Sequence, residues 1–158
     1  MKNTLVGLIF GILSCTNAQI PEEIISQFQL MEPLATSTEW FVQGKIYKVY
    51  YKLDRQNRIT SYFDRQGNWL ETETEIGVED LNSAVLNVLE TKFNDYEIVD
   101  IEIIKTFDFK ILYEIDMIRN DKSYDILFDT TGRILRLSLI HISEPTRLLS
   151  ISYAVFCL

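Results

Sequence analysis

The sequence holds one histidine, two cysteines, three prolines and six glycines in 158 residues. One His and two Cys, at positions 15 and 157, cannot supply a four-ligand zinc cluster or a multi-bridge disulfide scaffold. Few Gly and Pro exclude a collagen-like or low-complexity chain. Positive charge is scarce too: 15 Lys and Arg stand against 23 Asp and Glu, a net −8. That balance argues against a nucleic-acid or anionic-membrane partner. No apolar run reaches the roughly 20 residues a membrane-spanning helix needs. What is present is an ordinary globular mixture, 47% apolar and 24% charged, enough for one domain or two very small ones.

The two ends differ from the middle. Lys2 is followed by a short apolar run, Leu5 to Leu13, and then by Thr16-Asn17-Ala18. A basic residue, an apolar stretch and a small-residue site predict a secretory signal peptide over 1–18, cut after Ala18. Ile12-Leu13-Ser14-Cys15 also resembles a lipobox, in which Cys15 would be lipidated and anchor the chain to a membrane. Either route puts the folded part in the periplasm or outside the cell. At the other end, residues 137–158 resemble the translation of a transposase-type sequencing adapter. Leu137 to Arg147 match its first part and Ile151 to Leu158 its flow-cell end. Leu148-Leu149-Ser150 fall where its variable index lies. On that reading His141 and Cys157 have no biological meaning, and the string is excluded from fold reasoning. Leu137 to Ile142 can still extend a final strand by accident, with Pro145 breaking it.

The remaining stretch, 19–136, carries 13 basic and 22 acidic residues, net −9, with no His and no Cys. It contains an internal repeat. Phe63-Asp64-x-x-Gly67-x-x-Leu70 recurs as Phe128-Asp129-x-x-Gly132-x-x-Leu135, which predicts two helix-plus-strands halves, about 20–76 and 77–136. Pro21 with Glu22 and Glu23 opens a first helix carrying Ile24, Ile25 and Phe28, and Pro33 ends it. Leu81, Val85, Val88, Leu89, Phe93 and Tyr96 recur at helical steps, with Glu79 or Asp80 at the start. Period-two alternation marks strands. Tyr47, Val49, Tyr51 and Leu53 share a face opposite Lys48, Tyr50 and Lys52, and Ile111, Tyr113, Ile115 and Met117 share one opposite Glu114 and Asp116. Tyr124, Ile126 and Phe128 repeat the pattern, and Thr38 to Val42 form a further strand in which Trp40 and Phe41 are core or groove aromatics. Turns at Asp54–Asn57, Asp64–Gly67, Asn120-Asp121 and Asp129–Gly132 use Asp or Asn as a local acceptor and Gly for positive φ. The fold class that follows is α+β: an antiparallel sheet of about seven or eight strands with a dry face covered by two helices and a wet face opposite.

Reactive chemistry is nearly absent. With no His or Cys in 19–136, and Ser26, Ser37, Ser61, Ser83 and Ser123 in no G-x-S-x-G setting, no nucleophile has a base beside it. The acidic turns lack the D-x-[DN]-x-[DN]-G pattern of a calcium loop. No catalytic residue, cofactor or metal is assigned. The candidate site is a strand bearing Trp69, Glu71, Glu73 and Glu75 on one face: an acidic strip with an aromatic anchor, suited to a basic protein or peptide. A solvated strand face is the plain alternative.

Tyr113-Glu114-Ile115, the run Tyr124 to Leu135 and Gly67-Asn68-Trp69-Leu70-Glu71 together resemble the PepSY-like, β-lactamase-inhibitor-like family of exported bacterial proteins. The resemblance covers about 20–136, although Met31-Glu32-Pro33 lacks the aromatic usual before that Pro. It implies an α+β repeat fold, an envelope setting in Bacteroidetes-type bacteria, and a role in binding or inhibiting another envelope or secreted protein, a protease or hydrolase for example. A small-ligand or metal sensor or carrier, and a structural lipoprotein, are the alternatives.

Overall fold

The structure, a computed structural model, describes residues 20–53 and 58–140. The signal-like segment with Cys15, the turn at 54–57, His141 and Cys157 lie outside the described residues. Helix α1 (Glu22–Met31) precedes strands β1 (Thr36–Gln43), β2 (Ile46–Lys52), β3 (Ile59–Phe63) and β4 (Trp69–Glu75). A single 3-10 turn (Val78–Asp80) leads to helix α2 (Ser83–Lys92). Strands β5 (Glu97–Thr106), β6 (Ile111–Arg119), β7 (Lys122–Asp129) and β8 (Ile134–Ile140) follow. All eight strands form one antiparallel sheet in chain order.

Local chemistry accounts for most boundaries. Pro21 caps α1 and its missing N–H costs nothing there. The Glu32 N–H donates to the Phe28 carbonyl at 2.8 Å, and the chain then leaves the helix at Pro33. Helix α2 starts later than the charge pattern suggested. Glu79 and Asp80 belong to the 3-10 turn, and Asn82 is the N-cap because its side chain accepts the Val85 N–H at 2.9 Å. Phe93 is the C-cap, so Tyr96 falls beyond the helix and stacks edge-on against Phe93 and Tyr124.

Two apolar clusters meet one side of the sheet. Ile24 and Phe28 of α1 pack with Val49, Tyr51, Ile59 and Phe63. Leu81, Val85 and Leu89 pack with Ile101, Tyr113, Ile115, Met117, Ile126 and Phe128. Phe28 sits at the centre of the first, edge-on to Trp40, Tyr51 and Phe63. Trp40 is therefore core, whereas its neighbour Phe41 points the other way and leans on Tyr50, ring centroids 5.2 Å apart.

The two F-D-x-x-G turns have one geometry. Asp64 Oδ1 accepts the N–H groups of Gln66 and Asn68, and Asp129 Oδ1 those of Thr131 and Arg133. Gly67 and Gly132 then take φ of 81° and 80°. Strand β8 includes Leu137 to Ile140 of the adapter-like string, with Leu137 opposite Ile126 and Leu139 opposite Tyr124. A backbone ladder accepts almost any extended apolar sequence, so this pairing is no mark of origin.

Candidate functional site

The side of the sheet away from the helices carries the acidic strip, with one member displaced. Along β4 the pairing is regular as far as Glu71 opposite Tyr62, and then a bulge sets Trp69 opposite Phe63. The extra residue flips the pleat. Trp69 packs against the α1 cluster and donates its Nε1–H to Thr72 Oγ1 at 2.9 Å. The expectation of Trp69 beside Glu71, Glu73 and Glu75 fails for this reason: alternation counted along one strand does not see a bulge.

The three glutamates remain together and find more of their kind. In the pairing register Glu75 lies opposite Glu102, and Glu102 opposite Glu114. The next row sets Asp100 opposite Asp116 and Asp116 opposite Asp125. With Glu71 and Glu73, eight carboxylates occupy one area of β4 to β7. Like charges directly opposite on adjacent strands destabilise a sheet, so each row needs protons or cations. The cation at hand is Arg136 of β8, whose Nη2 lies 2.9 and 3.0 Å from the two Asp125 oxygens and 3.2 Å from Glu114 Oε2. That Glu114 oxygen is buried and makes no hydrogen bond.

This face is also drier than its polar sequence suggests. Glu73 is 4% exposed, and Lys48, Thr60, Tyr62 and Ile104 are buried with it. Long side chains of neighbouring strands cover one another: the Lys48 ammonium lies 4.6 Å from the Tyr50 ring centroid and 5.1 Å from that of Tyr62. Glu73 Oε2 accepts the Tyr62 hydroxyl at 2.6 Å.

Five of these acids, Glu71, Glu73, Glu102, Glu114 and Asp116, are raised, with burial the largest cause at each, and neighbouring carboxylates add to it at all but Glu71. Glu102 is pushed up to about 8, with Glu73, Asp100 and Asp116 as its charged neighbours. Glu73 rises to about 7, partly offset by the Tyr62 bond. Glu114 rises to about 7 and Asp116 to about 6, both eased by Arg136. Glu71 is raised by burial and eased by Arg136. No described helix is long and apolar enough to cross a membrane.

One carboxylate oxygen each from Glu114, Asp116 and Asp125 lies within 4.8 Å of the other two. That spacing suits one shared cation, and the Arg136 guanidinium stands beside it. Strand alternation points to Glu71, Glu73 and Glu75 and sets Glu114 and Asp116 opposite an apolar face, but gives no role to Asp100, Glu102 or Asp125. A signal was there: Asp100-Ile101-Glu102 and Glu114-Ile115-Asp116 are the same acid-Ile-acid unit on successive strands. Only the register shows that they coincide.

Comparison with known proteins agrees with this architecture. A DUF2874 family protein from Bacteroides uniformis is 17% identical with a TM-score of 0.73, over 80% of this chain and 94% of that one. A protein from Bacteroides eggerthii described as a candidate periplasmic protein is 18% identical with a TM-score of 0.72, over 77% and 90%. A BLIP-like protein from Bacteroides fragilis is 24% identical with a TM-score of 0.69, over 82% and 94%. At such identities the likeness is one of fold. No curated protein matches the chain. The sequence profile of the family described as beta-lactamase-inhibitor-like, PepSY-like matches residues 45–136, more than half of the chain. The chain therefore belongs to the PepSY-like, beta-lactamase-inhibitor-like family.

Proposed function

We propose that this is an exported, non-enzymatic binding domain whose acidic sheet face receives a basic surface of another envelope or secreted protein. The observation that carries the reading is the pair of cross-strand carboxylate rows, Glu75–Glu102–Glu114 and Asp100–Asp116–Asp125, flanked by Glu71 and Glu73. Such rows are costly alone and favourable under a cationic partner, which would exchange protons for Lys or Arg side chains. Inhibition or regulation of an envelope protease or hydrolase is the mode that fits, because a broad sheet face can cover a partner's entrance without any chemistry of its own. Trp69 serves this site indirectly, by fixing β4 to the α1 cluster.

The same reading takes 1–18 as a signal peptide and 19–136 as the domain, with 137–158 adapter-derived. It takes the periplasm as the setting, which is also the description given to the Bacteroides eggerthii neighbour. Two repeated halves are supported by the matching Asp64 and Asp129 turns, each with its Gly beside a helix: Gly67 beside Ile24 and Gly132 beside Ala84 and Val88.

The test is titration with a defined Lys/Arg-rich peptide at two salt concentrations. The wild-type protein should bind with an affinity that falls steeply with salt. Replacing Glu71, Glu73, Glu75 and Glu102 by Gln should weaken it at least tenfold while the melting temperature holds or rises. Equal binding by the variant would rule out this face.

A further inference from the structure

A second kind of site lies on the same face at its β1–β3 end. A hollow of about 710 Å³ is lined by Ser37, Phe41, Lys48, Tyr50, Lys52 and Arg58 among others. It shares Glu75 with the acidic rows but sets three cations, Lys48, Lys52 and Arg58, against two acids, Glu39 and Glu75. Arg58 stacks on Tyr50 with Cζ 4.1 Å from the ring centroid, and the Lys48 ammonium lies 4.6 Å from that same centroid. Lys48 is only 7% exposed, an unusual place for a cation without a carboxylate against it. Among the described residues, Lys48, Lys52 and Arg58 make no ion pair and their side chains make no hydrogen bond. Glu39 and Glu75 also line the hollow, yet neither reaches ion-pair distance of the three cations. Glu73 and Glu102 both act on Lys48 through space, neither at ion-pair distance, and Glu73 Oε2 is taken by the Tyr62 hydroxyl. The backbone is shaped here as well: Ser37 holds φ of 54° where the β1–β2 register shifts between Thr36 and Glu39. A strained non-Gly residue at a bulge is a common way to aim a side chain at a ligand.

We propose that this hollow is a carboxylate-binding subsite, in which Lys48 and Arg58, held on the Tyr50 ring, receive an acidic side chain of a docked polypeptide. Phe41 would cover the methylene stem of that residue, and Lys52 would close the hollow from the strand end. The inference rests on the protein-binding reading above and sharpens it. The partner surface would be segmented, basic where it meets β4 to β7 and acidic where it meets β2. Such segmentation fixes orientation as well as attraction, since a partner turned end for end would face like charge at both ends.

The experiment is a two-dimensional ¹H–¹⁵N NMR titration of the full chain with acetyl-Gly-Glu-Gly-amide. Its Gln counterpart, inorganic phosphate and a Lys-rich peptide form separate arms. The Glu peptide should bind at least fivefold more tightly than the Gln peptide, with shifts centred on Lys48, Tyr50 and Arg58. Arg58→Gln, which removes no buried group, should abolish the difference, and Lys48→Met should do the same if it folds. Glu71→Gln, which lies outside the hollow, should keep it. Equal binding of Glu and Gln peptides, shifts elsewhere, or phosphate binding more tightly than the Glu peptide would each overturn the subsite. A Lys-rich peptide that fails to bind while the Glu peptide succeeds would sink the acidic-face reading alone.

Discussion

Glu102→Gln isolates the physics of the acidic rows. Glu102 lies between Glu75 and Glu114 in the sheet register. Burial first, and then Glu73, Asp100 and Asp116, push its carboxyl to about 8. In the unfolded chain the same group titrates near 4.5. Between those values the native state holds a proton that the unfolded state has lost, so stability falls as pH rises through the window. The slope is about 1.4 kcal/mol per pH unit for one group. The full span would give roughly 5 kcal/mol, but the neighbours share the proton, and about 2–3 kcal/mol is a better expectation for one substitution in a coupled set. Gln cannot ionise, so the variant avoids this loss. At about 4 °C per kcal/mol for a domain of this size, Glu102→Gln should melt roughly 8–12 °C above wild type at a pH well above 8, and about level with it at a pH near 4.5. Calorimetry or circular-dichroism melts at the two pH values decide the matter. A gain that is the same at both, or a loss under alkaline conditions, would refute the account of Glu102 as a buried, crowded acid.

Other perturbations probe other parts. Arg136→Met should destabilise the protein by about 2–4 kcal/mol under alkaline conditions, because it strips the cation from Glu114 and Asp125. The loss should shrink in mild acid, where Glu114, pushed to about 7, already holds its proton; urea titrations at two pH values would show it. Gly132→Ala combines a left-handed φ with a Cβ only 2.7 Å from the Ala84 carbonyl oxygen. It should cost about 2–4 kcal/mol, against about 1 kcal/mol for Gly67→Ala, where the nearest atom, Ile24 Cγ1, is 3.6 Å away. Equal costs by chemical denaturation would mean the helix near Gly132 simply gives way. Phe109 is 93% exposed with φ of 62° at the β5–β6 turn, so Phe109→Asn should raise the melting temperature by about 2–4 °C; a fall would reveal packing by the ring.

Local features of this chain were legible because their physics is local. Pro21, Glu22 and Glu23 mark a helix start whatever surrounds them, and Asp64 and Asp129 bond their own turns. Period-two alternation gave the faces of β2, β6 and β7, since a pleated strand has no other way to point its side chains. Asn82 was missed as the cap because Glu79 and Asp80 give the same acidic signal one turn earlier. The bulge that sends Trp69 to the helix side was invisible because it exists only relative to β3.

From its sequence alone the chain determined that it would be α+β, that its strands would carry one apolar side, and that negative charge would dominate residues 19–136, which hold no His or Cys. These follow from composition, periodicity and turn chemistry, which depend on neighbours in the chain. Tertiary structure decided which acids meet. Asp100, Glu102, Glu114, Asp116 and Asp125 sit on three strands, and a register different by one residue would have separated them. It also decided that Lys48, unremarkable as a strand lysine, is enclosed between Tyr50 and Tyr62. Charge and burial act through space, and no spacing along the chain encodes that distance.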